Sequence, residues 1–149
     1  VSYNARMRNF TTICSGTALA IILIGCNQPN FDRSKATYPY PFELHTTNTL
    51  PIQVFRDGQT IEILNSTDRH WEDARIWVNQ QFMHPLASLQ PGERIVLNLA
   101  EFRNDLGEEF SAGGFFSTRR PTPVQLVEVQ AGEGQPLVGL LAIGDRVLE

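Results

Sequence analysis

Cysteine is scarce in this chain, and both of its cysteines, Cys14 and Cys26, lie close to the N-terminus. A domain formed after residue 26 therefore has no cysteine with which to build a disulfide framework. The remaining length suits one domain, and a chain of that size can bury a sufficient apolar core without metals or bridges.

Basic charge is also scarce. The chain carries 12 Lys and Arg against 16 Asp and Glu, and without Arg6 and Arg8 the basic count falls to 10, a net charge of -6. Nucleic-acid binding needs a basic face, as does electrostatic attachment to anionic lipid. The composition therefore argues against both kinds of partner.

Catalytic and metal-binding motifs are missing as well. No serine lies in a G-x-S-x-G context, and neither a P-loop nor a nucleotide-binding glycine motif occurs. The three histidines, His45, His70 and His84, share no helical spacing and no nearby cysteine, so they do not predict a zinc site. The acidic run 104–109 lacks EF-hand spacing and is predicted to be a solvated loop. We expect no enzyme, metal or cofactor.

The longest uncharged apolar stretch is short. It follows Met7 and Arg8, ends near Ile24, and no charged residue occurs between Arg8 and Asp32. A membrane-spanning helix needs about 20 apolar residues. This stretch contains several threonines, a serine and a glycine, and its positive start is typical of a secretory signal peptide.

The run Leu23-Ile24-Gly25-Cys26 resembles the lipobox of bacterial lipoproteins. The resemblance implies cleavage between Gly25 and Cys26, acylation of Cys26, and attachment to the cell envelope through acyl chains alone. Asn27 stands where an aspartate would retain the protein at the inner membrane, which favours the outer membrane where the source has one. Cleavage after Ala20 and an uncleaved anchor remain alternatives.

Three parts follow along the chain. Residues 1–25 are an upstream extension and signal peptide, and residues 26–41 are a lipidated cysteine with a proline-containing tether. Proline favours extended backbone, so the tether would hold the domain away from the membrane. In the alternative, Tyr38 and Tyr40 pack on the edge of the domain, which is residues 42–149.

Alternating apolar and polar residues dominate this domain. The pattern predicts strands at 42–46, 51–56, 60–64, 73–79, 81–84, 94–99, 123–129 and 137–143. Asp57-Gly58, Asn79-Gln80 and Pro91-Gly92 are predicted turns. Seven or eight short strands with regular turn signals indicate an all-β domain, an antiparallel β-sandwich or a small barrel.

The strand containing Trp77 and the turn Leu89-Gln90-Pro91-Gly92-Glu93 resemble immunoglobulin-like and fibronectin III-like modules. In those modules a strand carries a tryptophan and a similar turn precedes the next strand. The resemblance implies an antiparallel β-sandwich and no particular activity. The cysteine pair of antibody domains is absent.

Partner-binding candidates cluster late in the chain. Arg119 and Arg120 form the main basic pair after the leader, and Phe115 and Phe116 follow two glycines. Aromatic residues and arginine are enriched at interface anchors. Trp71 is a further candidate, for stacking on a sugar ring. In the alternative the phenylalanines are core, the glycines form a bulge and the arginines lie in a solvated turn.

These features favour a lipid-anchored, non-catalytic structural or interaction module of the cell envelope. The first alternative is a carbohydrate- or peptidoglycan-binding module that uses Trp71, Phe115, Phe116 and Arg119. The second is a small hydrolase or an accessory domain of an envelope enzyme complex. The expected partners are the membrane, through acyl chains, and an envelope protein or glycan.

Overall fold

The computed structural model describes residues 31–115 and 117–143, so Gly25, Cys26 and Phe116 lie outside the described residues. The strands are β1 (His45–Asp57), β2 (Thr60–Asn65), β3 (Trp71–Val78), β4 (Phe82–Leu89), β5 (Arg94–Asn98), β6 (Val127–Gln130) and β7 (Leu137–Ile143). Short 3-10 turns cover Arg33–Lys35, Phe42–Leu44 and Leu99–Glu101. Within these ranges, no helix has the length and apolar character needed to cross a membrane.

The all-β class predicted from the alternating pattern is confirmed. The seven strands form one sheet in the order β4-β3-β6-β7-β1-β2-β5. All neighbours are antiparallel except β1 and β7, which run parallel. The expectation of a wholly antiparallel arrangement is corrected at this pair. No hairpin joins β1 to β7, so no tight turn forces them to run in opposite directions.

The sheet curls nearly into a barrel. Its two edge strands are β4 and β5, and the stretch after β5 reaches back to β4. The Met83 amide donates to the Arg103 carbonyl at 2.8 Å, and the Arg103 amide donates to the Met83 carbonyl at 3.1 Å. One short turn therefore brings the end of β5 to the opposite edge.

Two predicted turns shape this curl. Asn79 and Gln80, between β3 and β4, both adopt positive φ, at 53° and 57°. Asparagine is among the residues that tolerate this region best. The β1–β2 hairpin is also confirmed, with Gly58 and Gln59 as its central residues and a φ of 55° at Gly58.

The core lies inside the curled sheet. Ala74, Ile76 and Val78 point into it from β3, while Trp77 points to the other face, as their alternation predicts. The other fully enclosed members of this core are Ile52, Ile61, Ile63, Leu89, Leu99, Phe102, Phe110, Val127 and Val129.

A second apolar cluster lies on the outer face, where Tyr40 packs with Trp77, Met83 and Leu137. The N-terminal segment 31–44 crosses this face. Tyr40 is buried and Tyr38 is exposed. In the described part of the predicted tether, Tyr40 thus packs against the sheet, as the alternative holds for it, whereas most of the other residues are exposed. Burial of the apolar ring of Tyr40 favours this packing.

Candidate functional site

A buried carboxylate lies at the centre of the outer face. Glu128 of β6 is 0% exposed. The Tyr40 hydroxyl donates to Glu128 Oε2 at 2.7 Å, and His45 Nδ1 lies 2.8 Å from Glu128 Oε1. We call Tyr40, His45 and Glu128 the carboxylate cluster.

Register and ring packing place this cluster. Glu128 pairs with Trp77 on one side and with Gly139 on the other. Gly139 presents no side chain, which leaves room beside the carboxylate. The Tyr40 ring meets Trp77 edge to face, with centroids 5.3 Å apart. This contact aims the Tyr40 hydroxyl at Glu128.

The surroundings keep Tyr40 neutral. Burial raises the pKa of Tyr40 above its usual value of 10.0, and the neighbouring Glu128 raises it further. The neutral hydroxyl can then donate to the carboxylate.

Both oxygens of Glu128 are thus engaged inside the domain. Glu128 joins residues 40–45 to β6 and has no surface with which to meet a molecule from solvent. The geometry makes the cluster a polar clamp for the N-terminal segment, since buried polar groups need such partners.

The other two histidines lie apart. His70 Nε2 contacts the Ser88 hydroxyl at 3.0 Å, and His84 Nε2 lies 3.4 Å from Glu101 Oε2. Across residues 31–115 and 117–143, no group of three or more His, Cys, Asp or Glu is placed to hold a metal ion.

A second polar clamp holds the loop 113–121, which we call the clamped loop. Arg56, near the end of β1, donates from Nη1 to the Thr122 carbonyl at 2.6 Å and from Nη2 to the Ala112 carbonyl at 3.1 Å. Its Nε donates to the Gly58 carbonyl at 3.1 Å. One guanidinium therefore fixes both ends of the loop against the β1–β2 hairpin.

The two glycines that begin the clamped loop are required by its path. Gly113 and Gly114 have φ values of 86° and 132°. A Cβ at Gly114 would lie 2.9 Å from the side-chain nitrogen of Gln59, and one at Gly113 would lie 2.9 Å from Pro121. Gly114 approaches the hairpin closely and Gly113 approaches the far side of the loop, so neither position has room for a side chain.

The clamped loop presents most of the candidate partner residues. Phe115 is 93% exposed, so it is not core, and Arg119 and Arg120 are exposed as well. The Ser117 hydroxyl donates to the Arg119 carbonyl at 3.1 Å. The structure brings Phe115, Arg119 and Arg120 onto one short loop, beside a cleft of about 450 Å³ lined by Arg56, Gln59 and Pro121.

Trp71 does not join them. Its side chain is 3% exposed and packs in the core, and the Arg69 guanidinium lies 4.0 Å from its ring centroid. The predicted exposure of Trp71 is wrong, because Trp71 begins β3 opposite Leu89 and its ring fills the interior.

The acidic run 104–109 is more ordered than a solvated loop. Asn104 is buried, and its Oδ1 accepts from the amides of Leu106 and Glu108 at 3.1 and 2.8 Å. Its Nδ2 donates to Glu108 Oε2 at 2.7 Å. Asn104 thus organises the loop on which the N-terminal segment packs.

The sequence pattern does not mark Arg56 or Glu128 as organising residues, and it marks Tyr40 only in the alternative that places its ring on the edge of the domain. Arg56 directly precedes the Asp-Gly turn, which is a weak signal for a side chain that reaches across a hairpin. Glu128 alternates with Val127 and Val129, a pattern that predicts a solvent-facing side chain. In the structure the position is buried, with Tyr40 and His45 in contact with the side chain.

Comparison with known proteins adds no relative: no protein-family model, curated protein or solved structure matches the chain.

Proposed function

We propose that this chain is a lipid-anchored, non-catalytic module of the cell envelope that binds a partner through the clamped loop. The observation that carries the binding proposal is Phe115, 93% exposed on a loop whose two ends are held by Arg56. A large exposed ring on a fixed backbone is typical of an interface anchor, because little ordering is needed on binding.

The partner proposed here is an anionic envelope polymer or protein. Arg119 and Arg120 lie near Phe115 on the same loop, and guanidinium groups pair with carboxylates and phosphates. Peptidoglycan, whose peptides carry carboxylates, is the second candidate function, through Phe115, Arg119 and the nearby Phe116.

Sedimentation with purified peptidoglycan sacculi tests the binding proposal. We expect Phe115→Ser and a double substitution of Arg119 and Arg120 by alanine to release the protein into the supernatant. Val96→Ser, an exposed apolar position on β5, is the matched control and should leave binding unchanged. If every variant sediments like the parent chain, the clamped loop is not the binding surface. If the parent chain itself does not sediment, peptidoglycan is not the partner, and envelope proteins are tested by crosslinking with the same variants.

The anchor proposal is supported by Leu23-Ile24-Gly25-Cys26 and by the positive start of the leader. We expect the membrane-extracted protein to have an intact mass that begins at Cys26 and includes acyl chains. The Cys26→Ala variant should lack them. An unmodified mass beginning at Ile21 would overturn the anchor and indicate a secreted domain.

A non-catalytic role is supported by the enclosure of Glu128, which occupies both carboxylate oxygens within the domain. Turnover of an ester, peptide or glycan by the purified chain, lost on mutation of an acidic residue or a histidine, would contradict it. For the finer fold we propose a β-sandwich of the immunoglobulin-like or fibronectin III-like kind. The buried Trp77 on β3 and the turn between β4 and β5 support it.

A further inference from the structure

We propose that the surface around Phe31 and Leu106 rests on the lipid bilayer, so that the domain lies directly on the membrane. We call this surface the anchor face. The inference rests on the proposed acylation of Cys26 and adds the orientation of the domain to it.

The short segment between Cys26 and Phe31 limits how far the domain can lie from the membrane. Four residues lie between Cys26 and Phe31, so their Cα atoms are five steps apart along the chain. A fully extended chain spans at most ~3.6 Å per step, or about 18 Å here. Acyl chains on Cys26 would hold its backbone at the headgroup layer. Phe31 therefore cannot lie farther than about 18 Å from that layer.

The second step is that Phe31 belongs to the folded domain. Phe31 forms a β-bridge with Glu108, and the Asp32 amide donates to the Gly107 carbonyl at 3.0 Å. A Cβ on Gly107 would lie 2.1 Å from the Asp32 carbonyl oxygen, so only glycine allows this contact. The segment is thus fixed to the loop 104–109, and the short connection to Cys26 positions the whole domain.

The chemistry of the anchor face suits a bilayer surface. Phe31 and Leu106 are large apolar residues, 55% and 54% exposed. Phenylalanine and leucine are typical of the apolar side chains that interfacial segments bury at the headgroup boundary. The charges around it nearly balance, with three basic residues (Arg33, Lys35 and Arg103) against four acidic ones (Asp32, Asp105, Glu108 and Glu109). Two pairs are in contact, since Lys35 Nζ lies 3.7 Å from Asp32 Oδ2 and Arg103 Nη2 lies 3.4 Å from Glu109 Oε2. With no excess of basic residues, the face has no charge that would select an anionic lipid.

Hydrogen exchange on the acylated full chain tests the orientation. The chain is reconstituted in vesicles of phosphatidylethanolamine with a minority of phosphatidylglycerol. The control has a Gly/Ser spacer of about 20 residues inserted after Cys26, which gives the domain a flexible reach well beyond the headgroups. We expect exchange at 31–36 and 104–109 to be several-fold slower in the directly anchored chain. Exchange at 66–69 should be equal in both chains. These residues lie near Leu89, at the end of β4 opposite to Met83, which bridges to Arg103.

Equal exchange at 31–36 and 104–109 in the two chains would overturn the inference. Gly107→Ala is a second variant, because its Cβ displaces Asp32 while leaving Cys26 unchanged. It should abolish the slower exchange at 104–109, and retained protection would count against the anchor face.

Measuring the intact mass distinguishes a failure of this inference from a failure of the anchor proposal. If the mass shows no acylation, the anchor proposal fails. The same exchange experiment is then run on the Cys14→Ser chain coupled through Cys26 to a maleimide phospholipid, which imposes the same reach. Protection in that chain supports the anchor face as a property of the domain, and its absence overturns it.

Discussion

Glu128 is polar, as strand alternation predicts for its position, but its side chain is buried instead of facing solvent. Strand alternation places it on the face opposite to Val127 and Val129, and Tyr40 packs on that face with Trp77. Its partners lie 88 and 83 residues away in the chain. No local pattern in the sequence reports such a contact, and for this reason the cluster could not be predicted although β6 itself was.

Glu128→Leu is expected to lower the free energy of unfolding by about 1–3 kcal/mol. It removes the shared partner of the Tyr40 hydroxyl and His45 Nδ1, which keep only their 3.1 Å contact with each other. Tyr40→Phe removes one donor and should cost about 1 kcal/mol. Urea unfolding followed by tryptophan fluorescence measures both. Unchanged midpoints in both variants would show that the cluster adds no stability.

The raised pKa of Tyr40 makes a prediction about alkaline stability. The folded state holds the Tyr40 proton beyond the usual pKa of 10.0, whereas the unfolded chain releases it there. The contribution of Tyr40 to stability is therefore complete below about pH 10 and is lost as the pH rises further. Urea midpoints between pH 8 and 11 should fall less steeply in Tyr40→Phe than in the parent. Tyr38→Phe, at an exposed ring, is the control, and an identical decline in Tyr40→Phe would contradict the prediction.

At the scale of strands and loops, local signals predict well what depends on neighbours in sequence. The Asn79-Gln80 turn and the β1–β2 hairpin follow from residues that accept positive φ. The predicted strand 123–129 begins four residues early, because Pro123 to Leu126 are held by Asn79 rather than by a neighbouring strand. Composition predicted the candidate partner residues of the clamped loop, whereas it did not predict that Arg56 holds the loop.

Arg56→Ala is expected to release the clamped loop, since three carbonyl acceptors lose their donor. We expect faster amide exchange at 113–121 and a loss of about 1–3 kcal/mol in the free energy of unfolding. Arg120→Ala, at an exposed arginine of the same loop, is the matched control and should change neither. If the loop exchanges at its original rate in Arg56→Ala, its order comes from the hairpin contacts of Gly113 and Gly114 instead.

At the scale of the whole molecule, pairing between distant segments decides the architecture. The parallel contact of β1 with β7 and the bridge from Met83 to Arg103 together turn the strands into a nearly closed sheet. The predicted strands 42–46 and 51–56 are one strand, β1, in this sheet, and residues 42–44 form a 3-10 turn before it. Alternation in sequence specifies which face of a strand is apolar and not which strand lies beside it. The sequence pattern therefore could not predict the order of the strands. It also could not predict that residues 31–44 cover the outer face.

This covering predicts where the stable domain begins. A chain that starts at residue 42 lacks Tyr40, which exposes part of Trp77, Met83 and Leu137 and removes a donor to Glu128. Loss of a packed aromatic side chain costs about 3–5 kcal/mol, so this chain should unfold at much lower urea than one that starts at Asn27. Tryptophan emission should also shift to the red, because Trp77 gains water while Trp71 stays in the core. Equal midpoints and equal emission in the two chains would mean that residues 31–41 only rest on a domain that is complete without them.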